Sequence, residues 1–160
     1  MKKLFYISLI LSLSFNICKA QTIPLANIEN ANGETIKTTS IVDGKPFILS
    51  FWSTTCKPCI MELNSINENL EDWQKEADFN VIAISIDDSR SLAKAKAMAN
   101  GFGWEFTVLY DKNQDFKRAM NVANIPQIFV CDSTGKIIYS HSGYTPGGEY
   151  DLFEKIKALK

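Results

Sequence analysis

From residue 47 onward the chain alternates between two hydrophobic patterns. The apolar runs 47–52 and 79–86 have the length and continuity of strands buried on both faces, and 106–110 is a shorter run of the same kind. Between them, apolar positions recur at three- and four-residue spacing, which predicts helices over 58–77 and 89–100, the second closed by Gly101. A weaker helix is predicted over 113–121. Strands over 128–131 and 136–140 then pair across Asp132-Ser133-Thr134-Gly135, and a helix over 149–159 ends the chain. Upstream, the punctuated stretch 28–44 reads as a β-hairpin around Asn32-Gly33 followed by a loop. Strands alternating with helices, then a terminal hairpin and helix, predict an α/β chain with a mixed sheet covered on both faces.

Residues 1–20 follow a different pattern. Lys2 and Lys3 precede an apolar stretch over 4–17, and Cys18-Lys19-Ala20 ends on a small residue before Gln21, the order of a signal peptide. Ser8, Ser12, Ser14 and Asn16 interrupt the stretch, which is too short for a membrane span. An uncleaved anchor, or lipidation at Cys18, would instead tether the same domain to a membrane. Cleavage leaves 21–160, enough for one domain with its own core. Without Lys2, Lys3 and Lys19 the 17 basic residues become 14 against 18 acidic ones, so the net charge moves from −1 to −4. That balance argues against a nucleic-acid partner. Three cysteines remain, Cys56, Cys59 and Cys131, too few for a disulfide-stapled scaffold.

Cys56-Lys57-Pro58-Cys59 falls where the 47–52 strand gives way to the 58–77 helix. A thiol at a helix start meets unpaired amide N–H groups and the positive end of the macrodipole, which favour thiolate. Cys59, nearly one turn on, is close enough to attack a mixed disulfide formed at Cys56. At 100° per residue, Cys59, Leu63, Ile66, Leu70, Trp73 and Ala77 lie within about 40° of one line, so Cys59 is expected to be buried. Cys56 stands about 60° to one side, as the reachable sulfur, and Glu62 about 60° to the other. Glu62 admits two readings: a desolvated carboxyl exchanging protons with Cys59, or a solvated glutamate favoured by the helix dipole. Spacing alone does not choose between them.

The ordered set Gly44-Lys45-Pro46, Phe51-Trp52, Cys56-Lys57-Pro58-Cys59, Glu62 and 124–130 (Asn-Ile-Pro-Gln-Ile-Phe-Val), with the Asp132–Ile137 hairpin, resembles the thioredoxin superfamily. Within it the chain is similar to the exported TlpA/ResA-like thiol-disulfide oxidoreductases. The resemblance covers nearly all of 21–160 and implies a thioredoxin-like three-layer fold with a mixed central sheet, an N-terminal β-hairpin and an inserted helix-strand unit over 88–111. It implies a cis peptide before Pro126, with Ile125 offering backbone groups to a substrate beside the disulfide, and it favours a functional Glu62. Two places depart from the pattern. Thioredoxin has a proton-transferring aspartate where this chain has Ser50, and relatives often have Trp where it has Thr55. The insertion also resembles peroxiredoxins, but Leu49 stands where their peroxidatic motif has Pro.

Among the other candidates, Lys57 either adds positive charge that favours a Cys56 thiolate or is a solvated surface lysine. Pro58 suits the first helical turn, where its missing N–H costs little. Trp52 and Phe51 read as core, with Trp52 also placed to flank the disulfide and a bound substrate. Cys131 reads as a buried, inert thiol. His141, the only histidine, could join Cys56 and Cys59 at a copper or zinc ion, but too few ligands are grouped, and a surface or strand-end histidine is expected. The resulting expectation is a periplasmic reductant of protein disulfides, reset by a membrane electron donor and needing no metal or cofactor beyond the Cys56–Cys59 disulfide. Cytochrome c maturation is the destination that the resemblance suggests. The alternatives are a disulfide oxidase or isomerase, and a copper chaperone without turnover.

Overall fold

A computed structural model describes residues 21–159; the expected signal peptide and Cys18 lie outside the described residues. Among these residues, β1 (Asn27–Glu29) and β2 (Thr35–Lys37) form the first hairpin, followed by a 3₁₀ turn over Thr38–Ile41. Next come β3 (Phe47–Trp52), α1 (Lys57–Glu76), β4 (Asn80–Ser85), α2 (Leu92–Phe102) and β5 (Thr107–Tyr110). The chain continues through α3 (Asp115–Ala119), β6 (Gln127–Cys131), β7 (Ile137–Ser142) and α4 (Gly148–Lys157). The strands form one sheet in the order β2-β1-β5-β4-β3-β6-β7. β3, β4 and β5 are parallel, and the other pairings are antiparallel. This is the thioredoxin-like α/β architecture.

β3 lies at the centre, paired to β4 and β6, and all six of its residues are buried. Its alternation divides the core. Ile48 packs with α1 and α4 through Ile66, Leu70, Trp73, Leu152 and Phe153, while Phe47, Leu49 and Phe51 meet Phe116 of α3 and Ile28 of the hairpin on the opposite face. Trp52 belongs to a third cluster with Cys59 and Leu63 of α1 and Ala95 and Ala99 of α2. Burial on both faces explains why β3 and β4 read as continuous apolar runs.

The inserted α2–β5 unit is wedged between the hairpin and the central strands. β5 pairs with β4 on one side and β1 on the other, and Glu29 of β1 takes Lys96 Nζ at 2.7 Å and Lys112 Nζ at 2.6 Å. Those two lysines hold the Glu29 carboxyl below its usual range. Two predicted helices change length. α2 runs through Gly101 and stops at Gly103, whose φ of 64° supplies the left-handed residue that closes a helix. α3 shrinks to five residues because Gln114 and Asn121 at its flanks both take positive φ. The buried Asp111 carboxylate accepts from Phe116 N and Lys117 N at its start.

Candidate active site

Trp52 is the last residue of the central strand β3, and the turn 53–56 carries the chain into α1. The loop is anchored from β4's side. Asp87, two residues beyond β4, accepts Thr54 N at 2.9 Å and Thr54 Oγ1 at 2.8 Å, and Ser85 Oγ at 2.9 Å. Cys56 N donates to Ser53 O at 3.1 Å, closing the turn. Cys56 is the N-cap of α1: Cys59 N donates to its Sγ at 3.3 Å, and Lys57 and Pro58 fill the next two positions. The sequence places no acid in the first turn, so no carboxylate competes for the amide field there. Lys57 and Pro58 are exposed.

The two sulfurs are joined in a disulfide, with Cα atoms 5.3 Å apart. Cys56 is half-buried and Cys59 fully buried. Only Cys56 is therefore open to a partner. The Ile125-Pro126 peptide is cis. Gln127 pairs with Phe51, which brings Ile125 and Pro126 alongside the end of β3, and Ile125 packs on the same cluster as Cys56. Pro126 is buried with its carbonyl taken by Gly143 N at 2.9 Å, while Ile125 is half-buried. Trp52 is fully buried behind the disulfide, edge-on to Trp104 at 4.9 Å. It supports the site from beneath and presents no surface to a substrate, which corrects its expected place at the substrate.

Glu62 is 0% exposed, one turn after Cys59. The solvated reading of this residue is excluded. Its Oε1 lies 3.1 Å from His141 Nε2, and its Oε2 has no partner among the described residues. Burial raises the Glu62 carboxyl above its ordinary value, the His141 hydrogen bond and charge oppose the rise, and the charge of Glu149 adds to it. Ser50 Oγ and Trp52 Nε1 are likewise buried without partners. Cys131 lies apart on the opposite sheet face, fully buried, its thiol pushed up to about 12 by desolvation and the neighbouring Asp132. Among the described residues no group of three or more His, Cys, Asp or Glu is arranged to hold a metal ion.

The model of the AhpC/TSA family matches residues 19–140. The chain belongs to the AhpC/TSA family. Its similarity to curated family relatives includes the thiol-disulfide oxidoreductase ResA of Bacillus thuringiensis, 35% identical over 95 residues. That match covers 59% of this chain and 53% of the relative, about half of the relative's length. A solved thioredoxin-like protein from Porphyromonas gingivalis is 48% identical, with a TM-score of 0.77 over 86% of this chain and 90% of that one. The thioredoxin domain of a thiol-disulfide oxidoreductase from Bacteroides vulgatus shares the fold at 18% identity, with a TM-score of 0.69 over 88% and 97% of the two chains.

Two partnerships around the Cys56–Cys59 motif were not anticipated from sequence. The Asp87–Thr54 anchor joins residues 33 positions apart and has no local signature. His141 sits one residue before the end of β7 and is partly exposed, in line with the strand-end expectation, but its ring also reaches Glu62, which that expectation did not include. A usable signal existed: Tyr139 and His141 alternate past residue 140 and share the face that packs on α1 and α4, whereas Ile137, before a register shift, lies on the other face.

Proposed function

We propose that this protein is an exported thiol-disulfide oxidoreductase that reduces disulfides in protein substrates. The observation that carries the proposal is the Cys56–Cys59 disulfide at the N-cap of α1, with one sulfur reachable and the other buried. In the reduced enzyme the Cys56 thiolate attacks one sulfur of a substrate disulfide, that S–S bond breaks, and the displaced sulfur takes a proton. A mixed disulfide with Cys56 remains. Cys59 yields its proton to Glu62 and attacks Cys56 Sγ, which releases the second substrate sulfur as a thiolate that takes a proton from water. The substrate gains two electrons and the Cys56–Cys59 pair loses them.

Ile125 and the cis Pro126 loop form the rim on which a peptide substrate docks, and Lys57 and Pro58 tune the sulfurs from the first helical turn. Residues 1–20 act as the export signal, which places the single domain over 21–160 in the periplasm. No described helix is long and apolar enough to cross a membrane. A membrane dithiol donor resets the disulfide, and cytochrome c maturation is the pathway that the resemblance to TlpA/ResA-like sequences suggests.

The decisive experiment is turnover of a protein disulfide, such as insulin, by the pure protein with a chemical dithiol as donor. Wild type turns over without metal, Cys56→Ser loses all activity, and Cys59→Ser accumulates the mixed disulfide. Stoichiometric metal retained by the reduced protein and lost in Cys56→Ser, without turnover, would establish a copper chaperone instead. Equilibration with glutathione giving a potential near that of DsbA-like oxidants, about −120 mV, would reverse the direction of electron flow.

A further inference from the structure

Glu62 is sealed from water, and its hydrogen-bond partner among the described residues is a side chain that is not. The Glu62 side chain is 0% exposed and that of His141 is 23% exposed, with 3.1 Å between Oε1 and Nε2. A proton reaching a buried carboxyl must leave again before the next cycle, and a chain of hydrogen-bonded groups is the route open to it. His141 stands opposite Ile128 in the β6–β7 ladder and lines a surface cavity of about 360 Å³ with Tyr139, Ser142, Tyr144, Thr145 and Asp151. The imidazole therefore bridges the buried carboxyl and a recess open at the surface.

The charged and titratable neighbours come from three elements. α1 contributes Glu62. α4 contributes Glu149, Asp151 at the cavity wall, and Lys155, whose Nζ lies 5.4 Å from the Tyr139 ring centroid. β7 and the following turn contribute Tyr139 and Tyr144. Glu149 is occupied: Oε1 accepts from Ser65 Oγ at 2.7 Å, and Oε2 from Tyr144 Oη at 3.1 Å and Gly147 N at 3.0 Å. Of the two buried carboxyls here, Glu62 is the one with an oxygen left over among the described residues.

We propose that His141 is the proton exit of the site. This rests on Glu62 acting as the proton acceptor for Cys59. At rest the carboxyl holds its proton on Oε1, hydrogen-bonded to His141 Nε2; it takes the Cys59 proton on the unpartnered Oε2 as the Oε1 proton passes to Nε2, and rotation of the carboxyl afterwards resets it. The imidazolium then gives up its Nδ1 proton to water in the cavity. No bond between heavy atoms changes in this step, and the electrons stay with the sulfur exchange.

The test uses the full chain, reduced and mixed with excess peptide disulfide, and follows release of the second substrate thiol. His141→Ala is expected to slow that release by at least about tenfold and to build up the mixed disulfide, while formation of the mixed disulfide keeps its rate. Millimolar imidazole, entering the enlarged cavity, restores release to His141→Ala and has no effect on Glu62→Gln. His141→Gln keeps a hydrogen bond to Glu62 without the relay and is expected to be as slow as His141→Ala. Wild-type release in His141→Gln, or a folded His141→Ala that imidazole does not rescue, overturns the relay. Glu62→Gln slow with both His141 variants fast defeats the relay alone; Glu62→Gln at wild-type rate defeats the carboxyl's assignment as well.

Discussion

Asp87 and Glu62 are both buried carboxyls near the disulfide, and they are built in opposite ways. Asp87 receives three hydrogen bonds from Thr54 and Ser85, two on Oδ2 and one on Oδ1. Among the described residues Glu62 has one hydrogen-bond partner, the imidazole of His141, and a bare oxygen. A buried acid whose oxygens are all engaged holds structure in place, because protonating it would forfeit those bonds. A buried acid with a free oxygen gains little from its charge and much from a proton, so it is poised to exchange one. The role of a buried carboxyl is thus read from its unmet hydrogen-bonding capacity rather than from burial itself.

Asp87→Ala strikes the anchoring side. It strands Thr54 N and two hydroxyls in a buried turn and should lower stability by about 3 kcal/mol in urea unfolding. A loss below about 0.5 kcal/mol would erase the distinction between the two acids. Glu62→Gln should leave the fold intact and cut turnover about 100-fold at neutral pH, the low end of proton-transfer contributions.

The same variant carries a pH signature. The folded Glu62 carboxyl sits above its ordinary value, so the folded state binds more protons than the unfolded one. Its contribution to stability is complete below the ordinary value of 4.5 and is lost as pH rises through the raised folded value. Wild type should therefore weaken relative to Glu62→Gln across that window, by urea unfolding at stepped pH. A difference that stays flat, or runs the other way, would place Glu62 with Asp87 among the anchors.

Gly135→Ala provides a control remote from both acids. Gly135 has φ +81°, and a Cβ there would lie 2.9 Å from Val42 Cγ2 and 3.4 Å from Ile23 Cγ1. The substitution should cost roughly 1 kcal/mol in unfolding while leaving the alkylation rate of reduced Cys56 unchanged. Cys131, with its thiol pushed up to about 12, should show no reaction with iodoacetamide in the folded protein and full reaction in urea. Labelling of native Cys131 would mean that this face of the core opens far more readily than its packing implies.

Much of this was legible in the chain. Periodicity placed the strands and α1, and the i, i+3, i+4 stripe correctly buried Cys59 and left Cys56 more accessible. The helix ends moved because Gly103, Gln114 and Asn121 adopt positive φ, and propensity does not say which of several candidates takes that conformation. Glu62 was ambiguous because its angle on α1 put it at the edge of the stripe, where a neighbour decides between water and protein. Trp52 was placed on the substrate side because its adjacency to the motif was plain, while the cluster that covers it, Trp104, Ala95 and Ala99, comes from the insertion.

By itself, the sequence determined the elements and the inequality of the two sulfurs, because both follow from local backbone geometry: a strand period, a helical period, and a cysteine at a helix start. Only the tertiary structure decided the proton chemistry around them. Thr54 meets Asp87 across 33 residues and Glu62 meets His141 across 79, and these contacts exist because β3, β4, β6 and β7 are neighbours in one sheet. Desolvation and hydrogen bonding set a carboxyl's affinity for a proton, and both are sums over whatever the fold brings within a few ångströms.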